Sequence, residues 1–161
     1  MKTYKAPWST SLIVISSLAT ILCVGISTGM IWKLGGLPRV VAVLPLAILF
    51  GSALFTIRGY TITSDAILVQ RLFWTTRLPR AGLQSAQFEP SAMRSSLRTF
   101  GNGGLFSFTG FFRNKGLGAY QAFVTDPNQT VVLRFSNRTV VVSPAAPEEF
   151  VRDISVRNYL G

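Results

Sequence analysis

The stretch FGNGGLFSFTGFFRNKGLG, residues 100–118, is the part of the sequence that comes closest to a chemical motif. Glycine-rich loops bind phosphates when they follow the pattern GxxxxGK[ST], or the pattern GxGxxG between a strand and a helix. Neither pattern is present here, and no helix is expected directly after the stretch. The sequence therefore does not indicate a nucleotide-binding loop.

Two interpretations of this stretch remain open. In the first, it is the wall of a β-structure, in which Phe106 and Phe108 alternate onto one face of a strand and Gly110 allows a bulge. In the second, the loop Gly101–Gly104 presents apolar side chains to a membrane surface or a partner, and basic residues beside it meet anionic headgroups. The contact residues of this second interpretation are Phe100, Leu105, Phe111, Arg94, Arg98, Arg113 and Lys115. The two interpretations do not exclude each other.

Groups suited to catalysis or metal binding are scarce. The sequence has no histidine, the commonest general base and metal ligand. Its one cysteine, Cys23, lies inside an apolar run, so we expect no intrachain disulfide and no thiol nucleophile. We predict that the protein is not an enzyme and uses neither a cofactor nor a metal.

The N-terminal third of the chain is strongly apolar. Hydrophobic residues make up 48% of the sequence and charged residues 14%, against about 25% charged in ordinary soluble proteins. Two uncharged runs, about 8–32 and 40–57, have the length of membrane spans, which take roughly 20 residues as a helix. A cleaved signal peptide is the alternative for the first run, but its apolar region would be about 7–15 residues. We predict that residues 1–58 form a transmembrane helical hairpin.

The segment Lys33–Arg39 between the two runs determines the predicted topology. Gly35 and Gly36 suit a tight reversal, and Pro38 suits the first turn of a second helix. Both chain ends then lie on the same side of the membrane. Lys and Arg are more numerous on that side, so the positive-inside rule makes both termini cytoplasmic.

Five residues of the spans have expected roles. Trp8 and Trp32 bracket the first span, as interfacial aromatic residues do. Gly25 and Gly29 have the small-xxx-small spacing that lets helices approach closely, either within the hairpin or against the helix of another protein. Pro45 predicts a kink in the second span.

From Gly59 onward the pattern changes to short β-prone segments joined by turn residues. We predict a further strand within residues 81–90, then an antiparallel three-stranded meander, and a C-terminal helix that starts near Pro144 or Pro147. About seven antiparallel strands and this helix predict an open β-barrel capped by the helix, so that the whole chain is α+β and membrane-anchored. The remaining predicted strands are Tyr60–Thr63, Ala66–Phe73, Tyr120–Thr125, Thr130–Phe135 and Thr139–Ser143.

Several motifs in residues 98–151 carry a resemblance to a known family. They are FGNGG at Phe100–Gly104, Gly110 with Phe112, Leu117-Gly118, Thr125-Asp126, and SPAAPEEF at Ser143–Phe150. In these motifs the chain resembles the bacterial PH-like (pleckstrin-homology-like) domain family over residues 59 to about 155. The resemblance implies a PH-like cytoplasmic domain at residues 59–161, beneath one or two spans of the bacterial inner membrane. It implies a fold more than a function, because the biochemical role of the family is poorly defined.

The charge of the chain narrows the expected partners. The formal net charge is +10, but the basic residues are scattered and no nucleic-acid-binding motif is evident. We therefore expect no nucleic acid, and we expect integral-membrane proteins and anionic lipid of the cytoplasmic leaflet as partners. The predicted function is that of a non-enzymatic accessory subunit that docks on and stabilises a larger integral-membrane complex. The alternative is a regulatory module that binds lipid headgroups at the membrane surface.

Overall fold

The computed structural model describes residues 1–33 and 40–158. The predicted reversal at Gly35 and Gly36, with Pro38 in the next first turn, lies outside these residues.

The chain begins with a short strand and a long helix, continues through a shorter helix and nine further strands, and ends in a third helix. The elements are β1 Lys2–Lys5, α1 Thr10–Lys33, α2 Leu44–Leu54, β2 Ile57–Ile62, β3 Ala66–Arg71, β4 Thr75–Pro79, β5 Leu83–Phe88, β6 Leu97–Gly103, β7 Phe108–Asn114, β8 Gly118–Val124, β9 Val131–Phe135, β10 Thr139–Val142 and α3 Pro147–Asn158.

The strands form two sheets that pack as a β-sandwich with a C-terminal helix. One sheet has the order β1-β2-β3-β4 and the other the order β5-β9-β10-β8-β7-β6. Within residues 1–33 and 40–158 there are ten strands, nine of them from Ile57 onward, so the prediction of about seven in this part is too low, and the strands form two sheets instead of one open barrel. The count was too low because β4 and β6 were not predicted as strands, and β1, which lies before the predicted domain, was not predicted either.

The predicted meander is also wrong in its order. Strands β9 and β10 form an antiparallel hairpin, but β10 lies between β8 and β9 and runs parallel to β8. The six-residue link after Val124 is long enough to carry the chain past the space that β10 fills, since neighbouring strands are about 4.8 Å apart. Ser143, just after β10, fixes this arrangement because its Oγ accepts the N–H of Thr125 at 2.8 Å.

The middle of the six-stranded sheet is buried on both faces. Val131, Leu133, Val140 and Val142 face the core between the sheets, which α3 completes with Phe150 and Ile154. A second, smaller core on the outer face contains Val132, Val141, Ala122, Phe112 and Tyr120, and Met93 packs against it. This double burial explains the uninterrupted valine runs, which lack the alternation of a half-exposed strand.

Strand β1 joins the start of the chain to the rest of the sandwich. It pairs antiparallel with β2, and Tyr4 lies opposite Tyr60. The Tyr4 hydroxyl donates to Asp153 of α3 at 2.5 Å, and the Tyr4 ring meets Phe150 edge-on. The residues before α1 and after α2 are therefore neighbours in one sheet.

One helix, α1, is long and apolar enough to cross a membrane by length and composition, which are properties shared by a membrane anchor and a signal sequence. Helix α2 is apolar but only 11 residues long, about 16 Å, so a hairpin of two full-length helices is not found in the described residues. The predicted kink at Pro45 is instead a break. The chain turns at Ala42 and Val43, and Pro45 then occupies the first turn of a new helix. Helices α1 and α2 contact each other.

Candidate functional site

A cavity of about 660 Å³ lies where α2 meets the β6–β7–β8 side of the sandwich. Its walls are mainly apolar, and they include two arginines and no carboxylate. The lining residues are Ile48, Gly51, Ser52, Phe55, Arg71, Arg98, Phe100, Gly101, Asn102, Leu105, Thr109, Gly110, Phe111, Gln121 and Phe123.

Arg71 is positioned at the cavity by three parts of the fold. It is the last residue of β3, and its side chain is only 8% exposed. Its Nε donates to Thr76 Oγ1 at 3.1 Å, and its Nη1 donates to the carbonyl oxygen of Phe55 at 3.0 Å. The guanidinium carbon lies 5.2–5.6 Å from the ring centroids of Phe123, Phe55 and Trp74, within cation–π range.

The charge of Arg71 has no counter-ion among residues 1–33 and 40–158. The ion pairs found there use Lys2, Arg77 and Arg134 as cations, and Nη2 of Arg71 has no hydrogen-bond acceptor. Burial lowers the pKa of Arg71 from its ordinary value, because the surroundings solvate the cation poorly. An arginine nevertheless stays charged at neutral pH, so the cavity contains a fixed positive charge.

Two glycines make the β6–β7 wall of the cavity thin. Gly101 and Gly110 lie opposite each other with φ of +106° and +134°. A Cβ on Gly101 would collide with the backbone oxygen of Thr109, and one on Gly110 would collide with that of Phe100. The prediction of a bulge at Gly110 of β7 is wrong. The irregularity in this hairpin lies on β6, where the register shifts between Arg98 and Phe100.

The loop between β6 and β7 contacts α1. Asn102 holds the loop because its side-chain amide donates to Leu105 O and its Oδ1 accepts the Leu105 N–H. Phe106 has φ of +64°, and its N–H donates to Ser16 Oγ of α1 at 3.0 Å. The Phe106 ring also contacts Trp8, at 6.2 Å between centroids. The predicted alternation of Phe106 and Phe108 along one strand is therefore wrong, because Phe106 lies in the turn.

The predicted rim residues lie in three places. Arg98, Phe100, Leu105 and Phe111 line the same cavity, and Phe100 is 74% exposed. Arg113 and Lys115 are exposed at the other end of the hairpin, since Arg113 pairs with Leu97 at the start of β6. Arg94 lies on the β5–β6 connection, beside a separate shallow pocket.

The predicted helix residues lie away from this cavity. Gly25 and Gly29 are exposed on α1, and a Cβ on either would meet nothing within 4 Å in the described structure. The buried residues of α1, Leu12, Ser16 and Ser27, lie on the opposite side of the helix at 3.6 residues per turn. Trp32, near the end of α1, is 85% exposed.

Sequence reasoning missed Arg71, Phe55 and the turn Leu72–Trp74. The turn joins β3 to β4 and carries three large apolar side chains that are all at least 40% exposed. Trp74 meets Phe55, the residue after α2, edge-on at 5.4 Å. The sequence did contain a signal for this turn. The segment RLFWTTR makes a turn without glycine, proline or asparagine, and exposed apolar residues in a turn are unusual on a water-facing surface.

The comparison with protein families gives the fold a name. Residues 58–158 match the family described as the bacterial PH domain. The chain belongs to this family. No curated protein and no solved structure matches the chain.

PH-like domains are generally non-catalytic. Within residues 1–33 and 40–158, no group of three His, Cys, Asp or Glu side chains is placed to hold a metal ion. The residues that line the cavity include two arginines, amide and hydroxyl side chains, and a majority of apolar residues and glycines. This combination suits a ligand with one anionic part and one apolar part.

Proposed function

We propose that the protein is a non-enzymatic, membrane-anchored PH-like subunit that docks on and stabilises a larger integral-membrane complex. The proposed anchor is the segment 6–56, which contains α1 and α2, with both chain ends on the cytoplasmic side of the bacterial inner membrane. The observation that carries the proposal is the pairing of β1 with β2, which ties both ends of that segment into one sheet.

The pairing supports a retained anchor over a cleaved signal sequence. Cleavage after α1 would remove β1, and with it the Tyr4 contacts to Asp153 and Phe150. The pairing also supports a segment that enters and leaves the membrane on one side, because Lys5 lies opposite Gly59. In the described structure only four residues, 6–9, join β1 to α1, and two residues, 55–56, join α2 to β2. Connections this short would restrict the orientation of the domain relative to the anchor. A restricted orientation suits a structural subunit.

The dimensions of the helices are compatible with this anchor. Both helices meet the sandwich at the level of Ser16 and Phe55, through Phe106 and Ser107. From Ser16 to Lys33, α1 extends roughly 26 Å, close to the thickness of about 30 Å of a hydrocarbon core. Helix α2 extends about 16 Å, and Val40 and Val41, before the break at Ala42 and Val43, are helical as well.

The face of α1 with Gly25 and Gly29 is the proposed docking surface for a helix of the partner. It lies opposite the buried side of α1, and both glycines adjoin open space in the described structure, so no described residue packs closely against them. Small residues at this spacing let two helix backbones approach closely in a membrane.

The test is co-purification of the tagged full-length chain from native membranes in mild detergent, followed by size exclusion and mass spectrometry. We expect an integral-membrane protein to co-elute with the wild type and to be lost from the double variant Gly25→Leu/Gly29→Leu. The control is Ser17→Leu, an exposed position on another side of α1, which should keep the partner. A lone monomer for the wild type, or equal retention by both variants, would contradict the proposal.

The second candidate function is a module that binds lipid headgroups or regulates a process at the membrane surface. It is favoured by the unpaired Arg71 and by the exposed apolar turn Leu72–Trp74 beside α2. Aromatic residues at this level suit the membrane–water interface. Co-purification of lipid without any protein partner would favour this candidate over the first.

A further inference from the structure

We infer that the cavity between α2 and the β6–β7 hairpin binds one anionic glycerophospholipid, with its phosphate at Arg71 and Arg98 and an acyl chain along α2. The inference rests on the proposed membrane anchorage, since α2 must adjoin lipid. It goes further by assigning a specific site and ligand class.

The anionic part of the site is defined by charge. Arg71 is almost completely buried, and its Nη2 has no acceptor among the described residues. A buried charge is costly unless it is paired, and none of the carboxylates lines this cavity. Arg98 lines the same cavity, and its Nη1 donates to Gly101 O at 3.1 Å, which leaves its other donors for a ligand. Guanidiniums bind phosphate oxygens with two parallel hydrogen bonds, so a phosphodiester is a matching counter-ion.

The apolar part of the site is continuous with the proposed anchor. Ile48, Gly51 and Phe55 of the α2 segment form one wall, and Phe100, Leu105 and Phe111 form the facing wall. Ile48 and Phe100 are both more than 60% exposed, so an acyl chain there would cover apolar surface that the fold leaves open. A volume of about 660 Å³ accommodates a headgroup and part of a chain, but not a whole phospholipid. The remainder of the lipid would stay in the bilayer.

The geometry favours a lipid over free phosphate. A free anion would use the two arginines and leave the apolar walls uncovered. A lipid fills both parts of the cavity, and its position at the bilayer edge raises its local concentration.

The experiment uses the full-length protein, extracted in detergent and delipidated, with native mass spectrometry to count bound lipid. The probes are phosphatidylglycerol, phosphatidylcholine and inorganic phosphate. We expect one phosphatidylglycerol per chain, at least tenfold tighter than phosphatidylcholine and not displaced by millimolar phosphate. Equal affinity for the two lipids, or displacement by inorganic phosphate, would overturn the inference.

Four variants locate the site. Arg71→Gln and Arg98→Gln should each weaken phosphatidylglycerol binding about tenfold, because each removes a cation at the phosphate. Gly51→Phe should block the acyl part without disturbing the fold, since a Cβ on Gly51 meets nothing within 4 Å. The matched control is Arg113→Gln, which removes the same charge from the same hairpin outside the cavity and should change binding less than twofold.

If Arg71→Gln does not fold, Arg98→Gln and Gly51→Phe still test the same site. Arg98 is exposed and a Cβ on Gly51 meets nothing within 4 Å, so we expect both variants to fold. Equal binding by Arg98→Gln, Gly51→Phe and Arg113→Gln would overturn the inference. A separate measurement distinguishes failure of the proposed anchorage from failure of the lipid site. Release of the chain from membranes by alkaline carbonate would contradict the proposed function. A chain that needs detergent but shows no lipid preference contradicts only the lipid site.

Discussion

The sandwich has two contrasting regions where helices meet the sheets. At the α3 region, Phe150 and Ile154 fill the core, and the cation of Lys2 lies 2.6 Å from Glu149 and 2.9 Å from Asp153. At the α2 region there is a cavity instead of a filled core, and the charge of Arg71 has no partner among residues 1–33 and 40–158. The first region is filled and ion-paired, whereas the second combines open space with a cation that lacks a counter-ion among the described residues, and this difference is why we propose a ligand there.

The largest difference is expected from removing one aromatic ring at each region. Phe150 is fully buried, so Phe150→Ala should lower the free energy of unfolding by about 3–5 kcal/mol. Phe111 is 52% exposed at the cavity, so Phe111→Ala should cost less than about 1 kcal/mol. Denaturant unfolding of the full-length protein in detergent measures both. A similar loss in the two variants would remove the distinction between the regions.

The core between the two regions should respond to alkaline pH. Burial raises the pKa of Tyr60 to about 12, because the phenolate would lose its hydration. In its neutral form the hydroxyl donates to Phe123 O at 2.6 Å. The neutral phenol is therefore favoured in the fold, and its contribution is complete below about pH 10 and lost as the pH rises toward 12. The loss corresponds to roughly 2–3 kcal/mol.

Unfolding free energies measured from pH 8 to pH 12 test this expectation. The Tyr60→Phe variant should be less stable at pH 8, because the Ser143 N–H loses its acceptor. Its unfolding free energy should also depend less steeply on pH than that of the wild type. An identical pH dependence in the variant and the wild type would exclude Tyr60 as the group responsible.

The cavity wall provides a finer comparison between two glycines of β6. Gly101→Ala should destabilise the protein by about 1–3 kcal/mol, because φ is +106° and the new Cβ would meet backbone. Gly103→Ala places its Cβ 3.1 Å from the flexible side chain of Arg98, which can move, so we expect a smaller effect. Hydrogen exchange of β6 and β7 locates the change. Equal protection loss in both variants would show that the close approach of Gly101 and Gly110 is not required.

The smallest effect is expected at the surface of the α3 region. Tyr4→Phe removes the hydrogen bond to Asp153 but keeps the ring against Phe150, so the expected loss is about 1 kcal/mol. Lys2→Met should have a weaker effect that fades with added salt, because this ion pair is solvent-exposed. Thermal unfolding at low and high salt compares the two variants. A salt-independent loss in Lys2→Met would contradict this ranking.

The sequence predicts the local elements well where one signal dominates. The second half of β2, all of β3, and most of β8, β9 and β10 follow from their β-branched and aromatic residues, and α3 follows from its proline and apolar stripe. The order of the strands is not in those signals, since a turn does not determine whether β9 or β10 becomes the neighbour of β8. Strand β1 was missed because four residues carry little periodicity and their pairing partner lies more than fifty residues away.

The candidate site was predicted only in part, because local sequence signals identify residues of one hairpin but not contacts between distant elements. The residues Arg98, Phe100, Leu105 and Phe111 come from one hairpin, so a local motif was enough to bring them together. Arg71 was missed because its burial depends on Phe55, Trp74 and Phe123, which come from three separate elements. Whether Gly25 and Gly29 contact a partner remains a prediction.

The central claim is that the helical segment is a retained anchor whose two ends lie together on one side of the membrane. The most direct measurement is the labelling of single cysteines by a membrane-impermeant maleimide in sealed vesicles of known orientation, in a Cys23→Ser background. Thr3→Cys and Ser155→Cys should react from the same, cytoplasmic face, and Trp32→Cys only from the opposite face. Reaction of Thr3→Cys and Ser155→Cys from opposite faces, or absence of residue 3 from the mature protein, would contradict the account.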